Sequence, residues 1–136
     1  MSGAESELVA AVTARVKAAP ALATFLGDPA RVYDAVPAQP TYPYVTVARS
    51  ESRPVNADGG GTEHRLTLTS VSQYGGVEEA RALTAALREV LEDAALALDG
   101  HRLVTLRVAY ADVFRGSDLK SVLGLLRLRA VTEPLT

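Results

Sequence analysis

The chain contains no cysteine, no tryptophan, one methionine and only two histidines in 136 residues. Without cysteine there is no disulfide framework, no thiolate zinc site and no cysteine nucleophile, and two isolated histidines are too few for a multi-histidine metal centre. A dominant charge is also missing: 14 Lys and Arg stand against 16 Asp and Glu, a formal net charge of -2. Such a balance has no long-range field to hold the chain on a phosphate backbone or an anionic membrane. No stretch approaches the ~20 consecutive apolar residues of a bilayer span, and the N-terminal MSGAESELVA carries acids where a signal peptide carries bases. A soluble, unexported protein is the expectation, and a cysteine-free chain suits reducing and oxidising compartments alike.

What is present suits one compact domain spanning 1–136, with 48% hydrophobic and 22% charged residues. Ser2 followed three residues later by Glu5 has the form of a capping box, opening a helix to about Ala19 with Leu8, Val12 and Val16 on one stripe. Pro20 ends that helix and begins a short second one through Leu26, where Gly27 stops it. Four prolines between residues 28 and 43 favour an extended path outside any central strand.

Strand one is expected at 44–49, followed by a flexible loop at about 51–63 that is rich in glycine and charge. Strand two, 64–71, alternates again. Beyond Gly75 and Gly76 lies the clearest helical pattern, with Ala80, Leu83, Leu87, Val90, Leu91, Ala94 and Leu98 on one face. Strands three and four, 102–114 and 120–132, are joined by a turn-rich Arg-Gly-Ser-Asp run. Val104, Leu106, Val108 and Tyr110 form one expected face, as do Val122, Leu126, Leu128 and Ala130. Thr105, Arg107, Arg127 and Arg129, with Thr67 and Thr69, lie on the opposite face. The fold class is therefore α+β: about four mostly antiparallel strands in the order α-α-β-β-α-β-β, with the helices packed on one face.

Candidate chemistry is sparse. His64 and His101 have no accompanying GxSxG or HExxH motif and read as structural or solvated histidines. Asp112 and Asp118 flank a turn and read as turn aspartates rather than a catalytic carboxylate pair. Gly59, Gly60 and Gly61 lack the GK[ST] ending and the following helix of a phosphate loop. No catalytic, cofactor-binding or metal-ligating residue is assigned. The arginine row of the polar face suits phosphate or acidic side chains, and it is either an interaction surface or an ordinary solvated sheet face.

The segment RVYDAVPAQPTYPYVTV at 31–47, the strand ending SVSQYGG, the helix opening GVEEARALTAALREVL and the strand after LDGHRLV resemble the tail-terminator, or tail-completion, family of long-tailed phages and gene transfer agents. The resemblance covers about residues 8–133. One departure is that Ser70, Val71 and Ser72 stand where such sequences often carry a tryptophan. It implies an architectural protein with no active site or cofactor. Its subunits would form a ring, six in sixfold tails, that caps the tail tube and joins it to the head connector. DNA would pass through without specific binding, in a virion or gene transfer agent particle assembled in the host cytoplasm. Candidate interface residues are Arg53, Asp58, Arg107, Arg127 and Arg129, because charged groups outside the core tune a partner without unfolding the subunit. A small regulatory or toxin-like binding module, and a small hydrolase, are the alternatives.

Overall fold

A computed structural model describes residues 3–55, 60–73 and 77–135. In chain order the elements are α1 (Ala4–Ala18), α2 (Pro20–Leu26), β1 (Val32–Tyr33), β2 (Tyr44–Pro54), β3 (Thr62–Gln73), α3 (Val77–Leu91), β4 (His101–Arg115) and β5 (Ser121–Pro134). The strands form a single sheet in the order β1-β2-β3-β5-β4, antiparallel except for the parallel β1–β2 pair. This is the expected α+β fold, with one additional two-residue strand at an edge.

The three helices cover one face of the sheet. Leu8, Val12 and Val16 of α1, Leu22 and Leu26 of α2, and Leu83, Leu87 and Leu91 of α3 are all buried. They meet Val45, Leu66, Leu68, Leu106, Leu126, Leu128 and Ala130 of the sheet in one cluster. The 3.6-residue stripes of the helices and the two-residue alternation of the strands converge on this layer. Pro20 stands in the first turn of α2, as expected. Ser2 lies outside the described residues; the residue at the α1 N-cap is Gly3, with no side-chain cap, and the Glu5 carboxylate accepts hydrogen bonds from Ser50 and Ser52 instead.

Arg31 explains the arginine of the 31–47 segment. Its guanidinium donates to the Pro43 carbonyl at 2.9 Å and to the Phe25 carbonyl at 3.0 Å, tying the end of α2 to the start of β2. Gly27, at φ 81°, lets this side chain pass, since a Cβ there would lie 2.6 Å from an Arg31 nitrogen.

Three sequence expectations are corrected. The loop placed at 51–63 is strand at both ends, because β2 runs to Pro54 and β3 begins at Thr62. A polar cross-strand pair holds these arms where apolar burial is lacking: Arg53 lies opposite Glu63 and bonds its carboxylate at 2.8 Å. The third helix ends at Leu91 rather than near Leu98. Beyond it the Asp93 N–H donates to the Leu106 carbonyl at 2.9 Å and the Glu92 carboxylate accepts the Val108 N–H at 2.7 Å, so bonding to β4 replaces further helical turns. Finally, Val104 and Tyr110 do not share a face with Leu106 and Val108. Register shifts between Leu103 and Thr105, and between Val108 and Tyr110, each insert a residue and reverse the phase of β4. Leu103, Leu106 and Val108 face the helices, whereas Val104 and Tyr110 are about half exposed.

Candidate interaction surface

The sheet face turned away from the helices is read row by row from the register. Arg53 and Glu63 share the first row. Glu51, Arg65, Arg129 and Arg107 form the second, and Arg49, Thr67, Arg127 and Tyr110 the third. Thr46, Thr69, Leu125 and Asp112 follow, then Tyr44, Val71, Leu123 and Phe114. One end of the face is thus charged and the other apolar. With Arg102 and Glu133, it holds seven arginines against four carboxylates, a surplus of three positive charges on a chain whose total is -2. The rest of the chain carries the balance, -5.

Cross-strand ion pairs organise the charged end. Glu63, whose side chain is 9% exposed, accepts from Arg53 at 2.8 Å and from Arg129 at 2.7 Å, with Arg65 at 3.5 Å. These bonds, that of Arg129 foremost, hold its carboxyl below the ordinary range. Arg127 has no carboxylate partner among the described residues; its guanidinium stands 5.0 Å from the centre of the Tyr110 ring. A concavity of about 460 Å³ lies among Arg49, Arg65, Tyr110, Arg127 and Arg129.

The five sequence candidates are not equivalent. Arg53, Arg127 and Arg129 project from the outer face, with Arg53 and Arg129 both engaged by Glu63. Arg107 occupies the same face on the edge strand β4 and is bound at 2.6 Å by Glu92, which follows α3. Asp58 lies outside the described residues. Sequence reasoning passed over Glu63 and Arg65 because both fell in or beside the expected loop. Extending the Thr67, Thr69 alternation backwards by two and four residues would have placed both on this face.

His64 is fully buried between β2 and β5. Its Nδ1 is 2.6 Å from the Ser52 hydroxyl and its Nε2 is 2.9 Å from that of Thr132. Ser52 commits its one proton to Glu5, at 2.5 Å, so Nδ1–H donates to Ser52 while Nε2 accepts from Thr132. This polarity is opposite to that of an activated serine, whose hydroxyl proton must point at the imidazole. Burial lowers the His64 pKa and favours the neutral ring. His101 pairs with Glu7 at 3.0 Å, and the same carboxylate oxygen accepts the Gly100 N–H at 2.8 Å. Both histidines therefore join the first turns of α1 to the sheet.

Asp112 accepts from the Tyr110 hydroxyl at 3.2 Å, while Asp118 accepts the Lys120 and Ser121 N–H groups within its own turn. Gly59 lies outside the described residues; Gly61 leads directly into β3 rather than into a helix. Among the described residues no cluster of three or more His, Cys, Asp or Glu side chains suited to a metal is present. At the departure noted in the sequence, Ser70 and Ser72 are buried and small, and with Gly124 of β5 they leave room for α3 to lie close to the sheet.

Comparison with known proteins agrees with this fold. No curated protein matches the sequence. A chain from the virion of a native gene transfer agent particle has the same fold, with a TM-score of 0.86 and 30% sequence identity, over 97% of this chain and 99% of that one. The model of the tail completion protein gp17 family matches residues 10–133. Coverage of that extent, on a chain whose helices and sheet superimpose on a particle component, shows that the protein belongs to the tail completion protein gp17 family.

Proposed function

We propose that the chain is a structural subunit of a phage-type or gene-transfer-agent tail, and that it forms a ring which caps the tail tube and joins it to the head connector. The observation that carries this reading is the family match over residues 10–133, supported by the full-length likeness to a chain of a gene transfer agent virion. Six copies suit a sixfold tail. The subunits assemble in the host cytoplasm and remain at the head-proximal end of the tail, where DNA passes through the ring without specific binding. The outer sheet face, with Arg53, Arg107, Arg127 and Arg129, meets the tube or connector protein, and Asp58 belongs to the same candidate set. Its charged and apolar ends suit a protein surface better than a uniform polyanion.

The role is architectural, without turnover. The Ser52–His64 polarity supports this, since the serine proton points at Glu5 and not at the imidazole. A ring terminator acts by directional affinity: one ring face matches the tube protein while the other fails to, so the tube stops growing and the connector docks. Particles made without this protein are expected to carry overlong tails or tails unjoined to heads. Electron microscopy of the deletion showing joined tails of normal length would refute the reading and favour a regulatory binding module.

A further inference from the structure

The β4–β5 turn presents an apolar side chain in a costly backbone conformation. Leu119 has φ 62°, a left-handed region that leucine rarely adopts and that asparagine or glycine tolerates far better. The residue is 76% exposed, more than any other large hydrophobic among the described residues. The turn holds this position firmly: Asp118 accepts the Lys120 and Ser121 N–H groups at 2.9 Å each, and the Gly116 N–H reaches the Ser121 carbonyl at 2.8 Å. An exposed leucine kept in a strained position by its neighbours has no folding rationale within the subunit.

A receptor of matching character lies at the opposite edge of the same sheet. Strand β1 is only two residues long, so the outer edge of β2 beyond Thr46 has no strand partner among the described residues. Between that edge and α1 runs a groove of about 440 Å³, lined by Val9, Ala10 and Thr13 of the helix and by Val32, Tyr33 and Val47. The rest of its lining is polar: Ser6, Ser50 and the charged Glu5, Lys17 and Asp34. Glu5 is engaged by Ser50 and Ser52, which leaves Lys17 and Asp34 to complement Asp118 and Lys120, the residues that flank the leucine. Knob and groove also lie toward the same end of the sheet, because the turn follows the row of Phe114 and Leu123, whose other end is Tyr44, the first residue of β2.

We propose that Leu119 of one copy seats in the α1–β1 groove of the next copy, and that this contact repeats head to tail to close the ring. The proposal rests on the ring reading above. Knob and groove are on opposite edges, so each subunit can offer its knob to one neighbour and its groove to another, and this heterologous repeat gives a ring where the rotation per step closes. The apolar lining suits a leucine, and the paired rim charges fix its direction of approach.

The test is the solution mass of the full-length chain by sedimentation and native mass spectrometry. Wild-type protein is expected to form rings, alone or on added tail tubes, and the variants are compared under whichever condition gives them. L119N, which fits the left-handed backbone, and A10R, which fills the groove from an exposed helix position, are each expected to remain monomeric with unchanged or higher Tm. L119G is a second knob variant with the same expected outcome. An equimolar mixture of L119N and A10R is expected to give a one-to-one heterodimer and no ring, because one supplies only a groove and the other only a knob. Rings formed by L119N or L119G overturn the proposal while leaving the ring reading intact. So does a mixture that yields no heterodimer, and so do L119N rings that fail to bind tails, which would assign the knob to another tail protein. A wild-type chain that forms no ring either alone or on added tail tubes overturns both readings.

Discussion

Replacing Gly124 with alanine tests how closely α3 is docked on the sheet. An added Cβ would stand 2.5 Å from the Ser70 hydroxyl oxygen and 2.6 Å from that of Thr84, both too short for any non-bonded contact. Neither hydroxyl has a hydrogen-bond partner among the described residues. Ser70 can yield by rotating χ1, but Thr84 is β-branched on a helix and has few alternatives. Overpacking of this kind costs about 1–3 kcal/mol, which for a chain of this size corresponds to a Tm lowered by roughly 3–15 °C. The S70A single variant should behave differently. Removing a buried hydroxyl that bonds nothing forfeits no hydrogen bond, so S70A should be neutral or slightly stabilising, and G124A/S70A should recover part of the loss of G124A. Urea unfolding measures this as shifts of the midpoint at constant m-value. Wild-type stability in G124A, or no recovery in the double variant, would refute the close-docking argument.

Acid should destabilise the fold in two separate ranges. The folded-state pKa of His64 is depressed by burial, so its contribution is complete above the ordinary value of 6.5 and is lost as pH falls below it. Glu5 and Glu7 are held low by bonds from Ser52 and Gly100, so their contributions are complete above 4.5 and are lost as pH falls through the folded values. Melting temperatures between pH 3.5 and 8 should show both limbs, with H64Q removing only the upper one; an unchanged upper limb in H64Q would contradict the assignment. On the outer face, R127E should cost only about 0.5–1 kcal/mol, the value of an exposed cation–π contact. R129E should cost more, because it sets a second carboxylate against the nearly buried Glu63. Equal melting temperatures for the two variants would count against Glu63 as the centre of the charged rows.

The helix layer and β5 were legible because their burial follows a single period. Leu8, Val12 and Val16 on α1, Leu83, Leu87 and Leu91 on α3, and Val122, Leu126, Leu128 and Ala130 on β5 are all buried. Strand β4 was half legible. Its length is close to the expected 102–114, but the register shifts near Val104 and Ala109 reverse the facing of its side chains, and a hydropathy pattern carries no mark of an inserted residue. The hairpin arms at 51–54 and 62–63 were hidden for another reason. They are held by Glu5 across 47 residues to Ser52 and by Arg129 across 66 residues to Glu63, and such polar pairings become visible only when distant segments are brought together.

The same distinction separates what stabilises the subunit from what is available to a partner. Folding free energy resides mainly in the layer between the helices and the inner sheet face, where each buried leucine contributes roughly 1.5–3 kcal/mol. Outer-face arginines make cross-strand ion pairs worth little individually in water, so that face can vary in sequence at small cost to the fold. A relative with 30% identity and a TM-score of 0.86 is what this arrangement permits. Leu119 belongs to neither category. It buries little within the subunit, and asparagine or glycine would relieve its backbone. A substitution that removes it should therefore leave the folded subunit intact, so its effect on assembly isolates the contact between copies from the stability of each copy.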